Sequence, residues 1–479
     1  MKTLVPLLSS LISGVLFLAA GKASAQGNLT PSGPPGPTMK TLEQIEPRKP
    51  IASLPYVITN SGSYYLTTNL TGTAGQIGIF IQENNITLDL NGFALIGSSN
   101  SFDGIAGANL ANVAIRNGTV HGWGRAGINL TNASNCGLRD LRVANNGSAG
   151  LVGGIGSLIG SCMVEGNGGD GITASSGSTV KNCTTTSNGG NGIFANSDAN
   201  VIECTAVGNQ GDGIRAFTGS RVSGCLARGS GGHGFNGSFR VQFIGCSAQN
   251  NTGRGFTAGT GSSLQECQAS FNPGGGIITD EDCQVTDCKA LSNLSDGIRT
   301  GANSALSNCS ANGNQANGIN AGAGSGVASS VSAANTGVGI LIPANGQVTR
   351  SKVQSNGQTG ISVGSGSTVS DCAAQGNGGD GILVASDCKV TGNQCHANTS
   401  ILFSSGIHAS GTKNHILDNT VTSNDRGIRV DTDGNFIARN VAGNNSIEYV
   451  TPGTQVMGPI LTSLSDVNTS KEPWANFDL

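Results

Sequence analysis

Asp280-Glu281-Asp282 is the densest acidic run in the chain, with Glu266, Asp287, Arg254, Lys289 and Arg299 close to it in sequence. Carboxylates gathered on one surface can hold a cation against an acidic sugar, and a nearby Arg or Lys can take the α-proton so activated. That is eliminative chemistry, with Asp280, Asp282 and Arg254 as its catalytic candidates and calcium as the cofactor it would require. No other cofactor is indicated, and charged surface turns have the same composition. Asp431-Thr432-Asp433-Gly434-Asn435 is half of a calcium loop, with Asp431 and Asp433 as oxygen donors. The bidentate Glu that completes such a loop is missing, and an Asp-Gly turn reads the same way. In His121-Gly122-Trp123-Gly124-Arg125, Trp123 could stack on a sugar ring and Arg125 bond to it. A bulky side chain sealing the first turns of the fold is the competing reading.

All these residues hang on one repeat. Glycines that precede an apolar residue recur every 21 residues from Gly150 to Gly381. The same phase continues at looser spacing to Gly104 and Gly127 before and to Gly406 and Gly427 after, which makes sixteen coils. The consensus is D/N-G-I-x-A-x-x-G-S-x-V-x-x-C-x-A-x-x-N-G-G. Its two alternating runs, as in Ile214-Arg215-Ala216 and Val180 to Thr185, read as strands separated by turn residues at constant offsets. A fixed period of this length with no helical window predicts an all-β solenoid of stacked parallel strands. Leucine-rich repeats, calcium-binding nonapeptide rolls and hexapeptide helices each need a spacing that is absent.

Asn167-Gly168-Gly169-Asp170-Gly171-Ile172, the Val-x-x-Cys run and Asn85-Ile86-Thr87-Leu88-Asp89-Leu90-Asn91-Gly92 resemble the right-handed parallel β-helix repeat family, within the pectate-lyase-like superfold, over residues 58–445. The ending Pro473-Trp474-Ala475-Asn476-Phe477 resembles the tail of exported bacterial members. The resemblance implies the fold and leaves the activity open, because the superfold houses lyases, hydrolases, epimerases, tailspikes and adhesins. Gly232-His233-Gly234 matches one motif of its pectin-cleaving hydrolases. The Asn-Thr-Asp, Asp-Asp and Arg-Ile-Lys that accompany it there, and the Asp-Pro-His of the epimerases, do not occur in this chain.

The stacking also explains the polar and sulfur columns. Nine of the 13 cysteines, from Cys162 to Cys372, share one slot, and Cys136, Cys283 and Cys388 share another with Ser178, Ser220, Ser262 and Ser367. Strands stacked in register stand about 4.8 Å apart with parallel Cβ vectors, a poor geometry for disulfides, so reduced, buried thiols are expected. Asn167 to Asn398 form an amide column with Ser230 as its one replacement. A more variable slot holds Asp170, Asn191, Asp212, His233, Arg254, Asp296, Asn317 and Asp380, where turn capping is expected and stacked calcium ligands are the alternative.

Residues 1–25 read as a signal peptide cleaved after Ala25, and 26–50 as a Pro/Gly-rich linker with a short helix. Residues 51–92 read as N-terminal capping strands and the first rung, 93–450 as the repeats and 451–479 as a C-terminal cap. The net charge of −3 implies neither nucleic acid nor an anionic membrane surface as a partner, and no segment after residue 25 is long and apolar enough for membrane insertion after cleavage. An exported protein follows, periplasmic, cell-surface or extracellular, with a polysaccharide or cell-surface glycan as its partner class; oligomeric state is not legible. The repeats leave no long insertions from which to build a cleft. The leading expectation is therefore a non-catalytic surface for carbohydrate or cell-surface interaction. A lyase or hydrolase acting on acidic polysaccharides, and a structural or adhesive rod, stand as alternatives.

Overall fold

A computed structural model describes residues 42–399 and 403–478. The expected signal peptide and most of the linker lie outside the described residues. The chain divides into Met1–Pro47, in which Leu42–Ile45 is a short helix, and Arg48–Leu479.

The second unit is a parallel β-solenoid, as the 21-residue period requires. Each 21-residue rung contributes one strand to a 19-stranded sheet and two to a broader 38-stranded sheet. We call the first the Gly-Ile face, because its strands follow the repeat glycine. In one rung, Ile214–Ala216 lies on the Gly-Ile face, and Arg221–Ser223 and Leu226–Arg228 lie on the broad sheet. Side chains alternate, so Ile214, Ala216, Val222 and Ala227 point inward and Arg215 outward. Register is conserved from rung to rung: Ile193 pairs with Ile214, and Ile214 with Phe235. The broad sheet is continuous because Val113–His121 and Gly137–Ala144 run unbroken across both of its columns.

The sixteen repeats counted from glycines are all present, and three more strands extend the Gly-Ile face. Tyr56–Ile58 and Ile79–Ile81 precede them, and Ile447–Val450 follows. Tyr56–Ile58 pairs in parallel with Ile79–Ile81, so the predicted capping strand is itself part of a rung. At the other end, Val456–Met457 and Asn476–Asp478 add a last partial turn to the broad sheet, joined through the helix Leu464–Thr469.

Single residues in the left-handed region turn the corners. Gly219, Gly224 and Gly229 do so in the rung above, with φ of 76°, 62° and 64°. Asn, Asp and Ser fill most of the same corners elsewhere, and Asn and Asp tolerate that region best after Gly. Inside, Asn188 Nδ2 donates to Asn209 Oδ1 at 2.9 Å and to the Val164 carbonyl at 3.2 Å, and this pattern repeats along the column. All thirteen cysteines are buried. Thiols along the columns donate to carbonyls, as Cys309 Sγ does to Ser307 and Val285, both at 3.3 Å. Burial pushes the Cys309 thiol up to about 12 and the Cys372 thiol to about 11. Towards the C-terminus the cysteine slot passes to a second amide column, Asn393-Asn419-Asn440-Asn476.

The amide column is interrupted at Ser230, whose buried Oγ has no hydrogen-bond partner. Gly213 leaves the same room there that Gly234 leaves for Asn251. Ser230→Asn should therefore restore an acceptor for Asn209 and raise stability by about 1–2 kcal/mol. A urea midpoint unchanged or lowered would count against this.

Candidate functional site

The variable slot before each repeat glycine does more than cap its own turn. Where it holds Asp, Asn or His, its side chain accepts from the backbone N–H of the same slot one rung later. Asp170 Oδ1 accepts from Asn191 N at 2.6 Å, Asn191 Oδ1 from Asp212 N at 2.9 Å, Asp212 Oδ1 from His233 N at 2.7 Å, and His233 Nδ1 from Arg254 N at 3.0 Å. The remaining carboxylate oxygen holds an outward residue of the Gly-Ile face, as Asp212 Oδ2 holds Asn236 at 2.7 Å. His233 thus has an unprotonated Nδ1. Burial lowers its pKa below 6.5, the Asp212 charge opposes this, and Arg254 adds to it.

Arg254 ends the series, because a guanidinium has no acceptor. The next slot is Gly275, with φ of 112°, whose N–H turns back to the Asn272 carbonyl at 3.2 Å. Where the acceptor column stops, the surface opens. A hollow of about 320 Å³ is lined by His233, Asn236, Phe239, Arg254, Thr257 and Asp280, among others. A neighbouring hollow of about 390 Å³ is lined by Thr260, Thr279, Asp280, Glu281, Arg299 and Thr300, among others. Phe239 is 57% exposed. Two rungs before Arg254, Arg215 lies outward between Phe194 and Phe217, at 5.9 and 5.4 Å from their ring centroids.

The structure thus brings Asp280 and Arg254 to one hollow and Glu281 and Arg299 to the adjoining one. Asp282 lines neither. It occupies a left-handed corner, with φ of 57°, that Asn303 and Gly324 fill in the next rungs, so its carboxylate is explained by backbone conformation. Glu266 and Asp287 are corner residues too. Among the described residues, no three or more His, Cys, Asp or Glu side chains converge to hold a metal ion. The predicted calcium set around Asp280 does not fit: its carboxylates are split between hollow and corner.

The other candidates are also placed elsewhere. Trp123 is buried, with Nε1 donating to the Leu95 carbonyl at 3.2 Å. Its ring fills space left by Gly72, Gly78, Gly97 and Gly104, so it seals the first rungs and offers no stacking face. Arg125 lies over the Phe102 ring at 4.4 Å. Asp433 accepts from Thr454 N at 2.9 Å, and Asp431 is committed to other partners, so the two do not form a cation loop.

Those partners form a cluster that sequence reasoning missed. His408, outward on the Gly-Ile face, bonds Asp380 Oδ2 through Nδ1 and Asp431 Oδ2 through Nε2, each at 2.8 Å. Arg429 Nε donates to Asp431 Oδ1 at 2.7 Å. Both ring nitrogens face carboxylates, so both must donate, which requires the imidazolium. Burial opposes that charge, but the bonds and charges of Asp380 and Asp431 raise the pKa above 6.5. A histidine that binds its proton more tightly when folded contributes stability in full below its unfolded pKa and loses it as pH rises through the folded value. His408→Asn keeps the Asp380 bond, as at Asn236 and Asn320, and cannot titrate. The melting advantage of the native chain over this variant should shrink as pH rises above the ordinary histidine range. A constant gap would contradict the bonded imidazolium.

The model for the right handed beta helix region matches residues 56–200, 191–332 and 328–447. The chain belongs to the right-handed β-helix family. Among solved structures, the periplasmic alginate epimerase AlgG aligns at 10% identity over 75% of this chain and 79% of its own, with a TM-score of 0.29. The A-module of the Azotobacter vinelandii mannuronan C-5 epimerase AlgE4 aligns at 12% identity over 82% and 90%, with a TM-score of 0.24. A hyper-glycosylated TibA fragment aligns at 11% over 78% and 98%, with a TM-score of 0.28. Likenesses this distant carry nothing about function. A search of curated proteins finds no match. No helix among the described residues is long and apolar enough to cross a membrane.

Proposed function

We propose that this β-helix protein is exported by residues 1–25 and binds an acidic polysaccharide along the outer surface of its Gly-Ile face, without turning it over. The observation that carries this reading is the interruption at Arg254. There a run of rung-to-rung acceptors, Asp170 to His233, ends on a cation, beside an exposed aromatic ring and a hollow that adjoins a second. Arg215 and Arg299 occupy the same outward row four rungs apart, about 19 Å along the axis. Planar guanidinium groups suit sugar carboxylates, and the exposed Phe239 offers an apolar face to a sugar ring between them.

Titration calorimetry with a polyuronate and a neutral polymer of similar length tests the reading. The polyuronate should bind in a salt-sensitive manner, and Arg254→Ala with Arg299→Ala should weaken it about tenfold or more. Arg228→Ala, on the broad sheet, should not. Equal binding of the two polymers, or an unaffected double variant, would sink the idea. Asp280 and Arg254 in one hollow favour eliminative cleavage as the second reading. Release of unsaturated uronate, lost in Asp280→Ala, would put it first.

A further inference from the structure

Phe271 sits at a corner with φ of 56°, in a slot held elsewhere by Gly, Ser, Asn or Ala. A bulky residue is disfavoured in that region, and this one is also 59% exposed. Neither cost is returned by core packing. The ring borders a hollow of about 480 Å³ on the broad sheet, larger than either hollow on the Gly-Ile face. Gln249, Asn250, Gln268, Leu291 and Asn312 are among its other walls, and no lining residue is ionisable.

We propose that this hollow is a second binding site, for a neutral saccharide, independent of the acidic-glycan site. The exposed ring gives the C–H face of a pyranose a flat apolar partner. Side-chain amides donate and accept at once, which matches sugar hydroxyls that do the same. Without a cation the site cannot favour a uronate. Three of the four amides project from one column of strands, Gln249 and Gln268 from the adjacent Ser247–Gln249 and Gln268–Ser270 and Asn312 from Ser310–Asn312, beyond the intervening Lys289–Leu291, so the fold holds their spacing rigid. The fourth, Asn250, is the corner residue one rung before Phe271, with φ of 52°.

The test is a glycan array of neutral and uronic-acid oligosaccharides, read with the native chain and with Phe271→Gly. Glycine is at home in this slot, so the variant should melt at the same temperature or higher. It should bind neutral oligosaccharides about tenfold more weakly or worse, and uronates as before. Arg254→Ala should show the reverse pattern. The proposal is overturned if the native chain binds no neutral saccharide, or if Phe271→Gly binds it equally well. It is also overturned if Phe271→Gly melts lower, which would make the ring part of the fold.

Discussion

Asn293→Ala is expected to cost on the order of 3–5 kcal/mol, among the largest single losses available in this chain. Asn293 Oδ1 accepts from Asn272 N at 3.0 Å and from Asn272 Nδ2 at 3.1 Å. Its own Nδ2 donates to Asn314 Oδ1 at 2.9 Å and to the Ala269 carbonyl at 3.2 Å. Truncation strands a backbone N–H, an amide proton and a carbonyl, all away from water. Each buried group left unpaired costs about 1–3 kcal/mol, whereas each bond made nets far less. Asn272, Asn293 and Asn314 are all fully or almost fully buried, so water cannot replace the lost partner without opening the rung. Urea unfolding followed with hydrogen exchange across residues 251–335 should show the loss centred on this stretch. A midpoint shift below that of an ordinary surface substitution would mean that the column is ornamental to the fold.

What the sequence disclosed and what it hid follow from the same property. A solenoid writes its inward slots in register, so the Gly, Asn and Cys columns were legible as periods, and the strands on either side of them followed. The two additional rungs at the N-terminus escaped because their spacing departs from 21: Gly78 precedes Ile79 as the repeat demands, yet lies 26 residues before Gly104; the one at the C-terminus keeps the spacing but has Glu448 where the glycine is due. The site was only half legible. Asp280, Arg254 and Arg299 stood out as charges in a chain with few. Asp282 stood out equally and belongs to a corner, because acidic residues serve both surfaces and left-handed turns. Phe239 and Asn236 carry no periodic mark, since outward positions vary freely. His408 lies 28 residues from Asp380, across the rung lengthened by the insertion near 399–403, and 23 from Asp431, which is not in the Asp380 slot. No fixed spacing announces such a cluster. Arg254 is the instructive case. The change from Asp and Asn to His and Arg within one slot was visible in the sequence. Its meaning required the bond from each slot to the next, which only coordinates supply.

The second large loss is expected from Gly297→Ala. This glycine is not needed for its backbone conformation, since its φ lies outside the left-handed region. It is needed because a Cβ there would stand 2.5 Å from Asn314 Nδ2 and 2.7 Å from the Gly318 carbonyl oxygen. The first is a committed member of the amide column, and the second is backbone of the next rung, accepting from Ile298 N at 2.9 Å. Neither can yield without pulling two rungs apart. Overpacking a tight interior costs about 1–3 kcal/mol when side chains can adjust, so about 3 kcal/mol or more is expected here. Gly177→Ala is the informative control. At φ of 68° with nothing within 4 Å, it should suffer only the left-handed penalty of about 1–2 kcal/mol. Gly177→Asn should suffer less, since Asn303 and Asn345 already occupy that corner. The urea midpoint should be highest for Gly177→Asn, lower for Gly177→Ala and lowest for Gly297→Ala, an ordering that separates the two uses of glycine in one repeat. If Gly297→Ala proves the milder alanine substitution, the close approach of successive rungs is not what preserves the 21-residue glycine column.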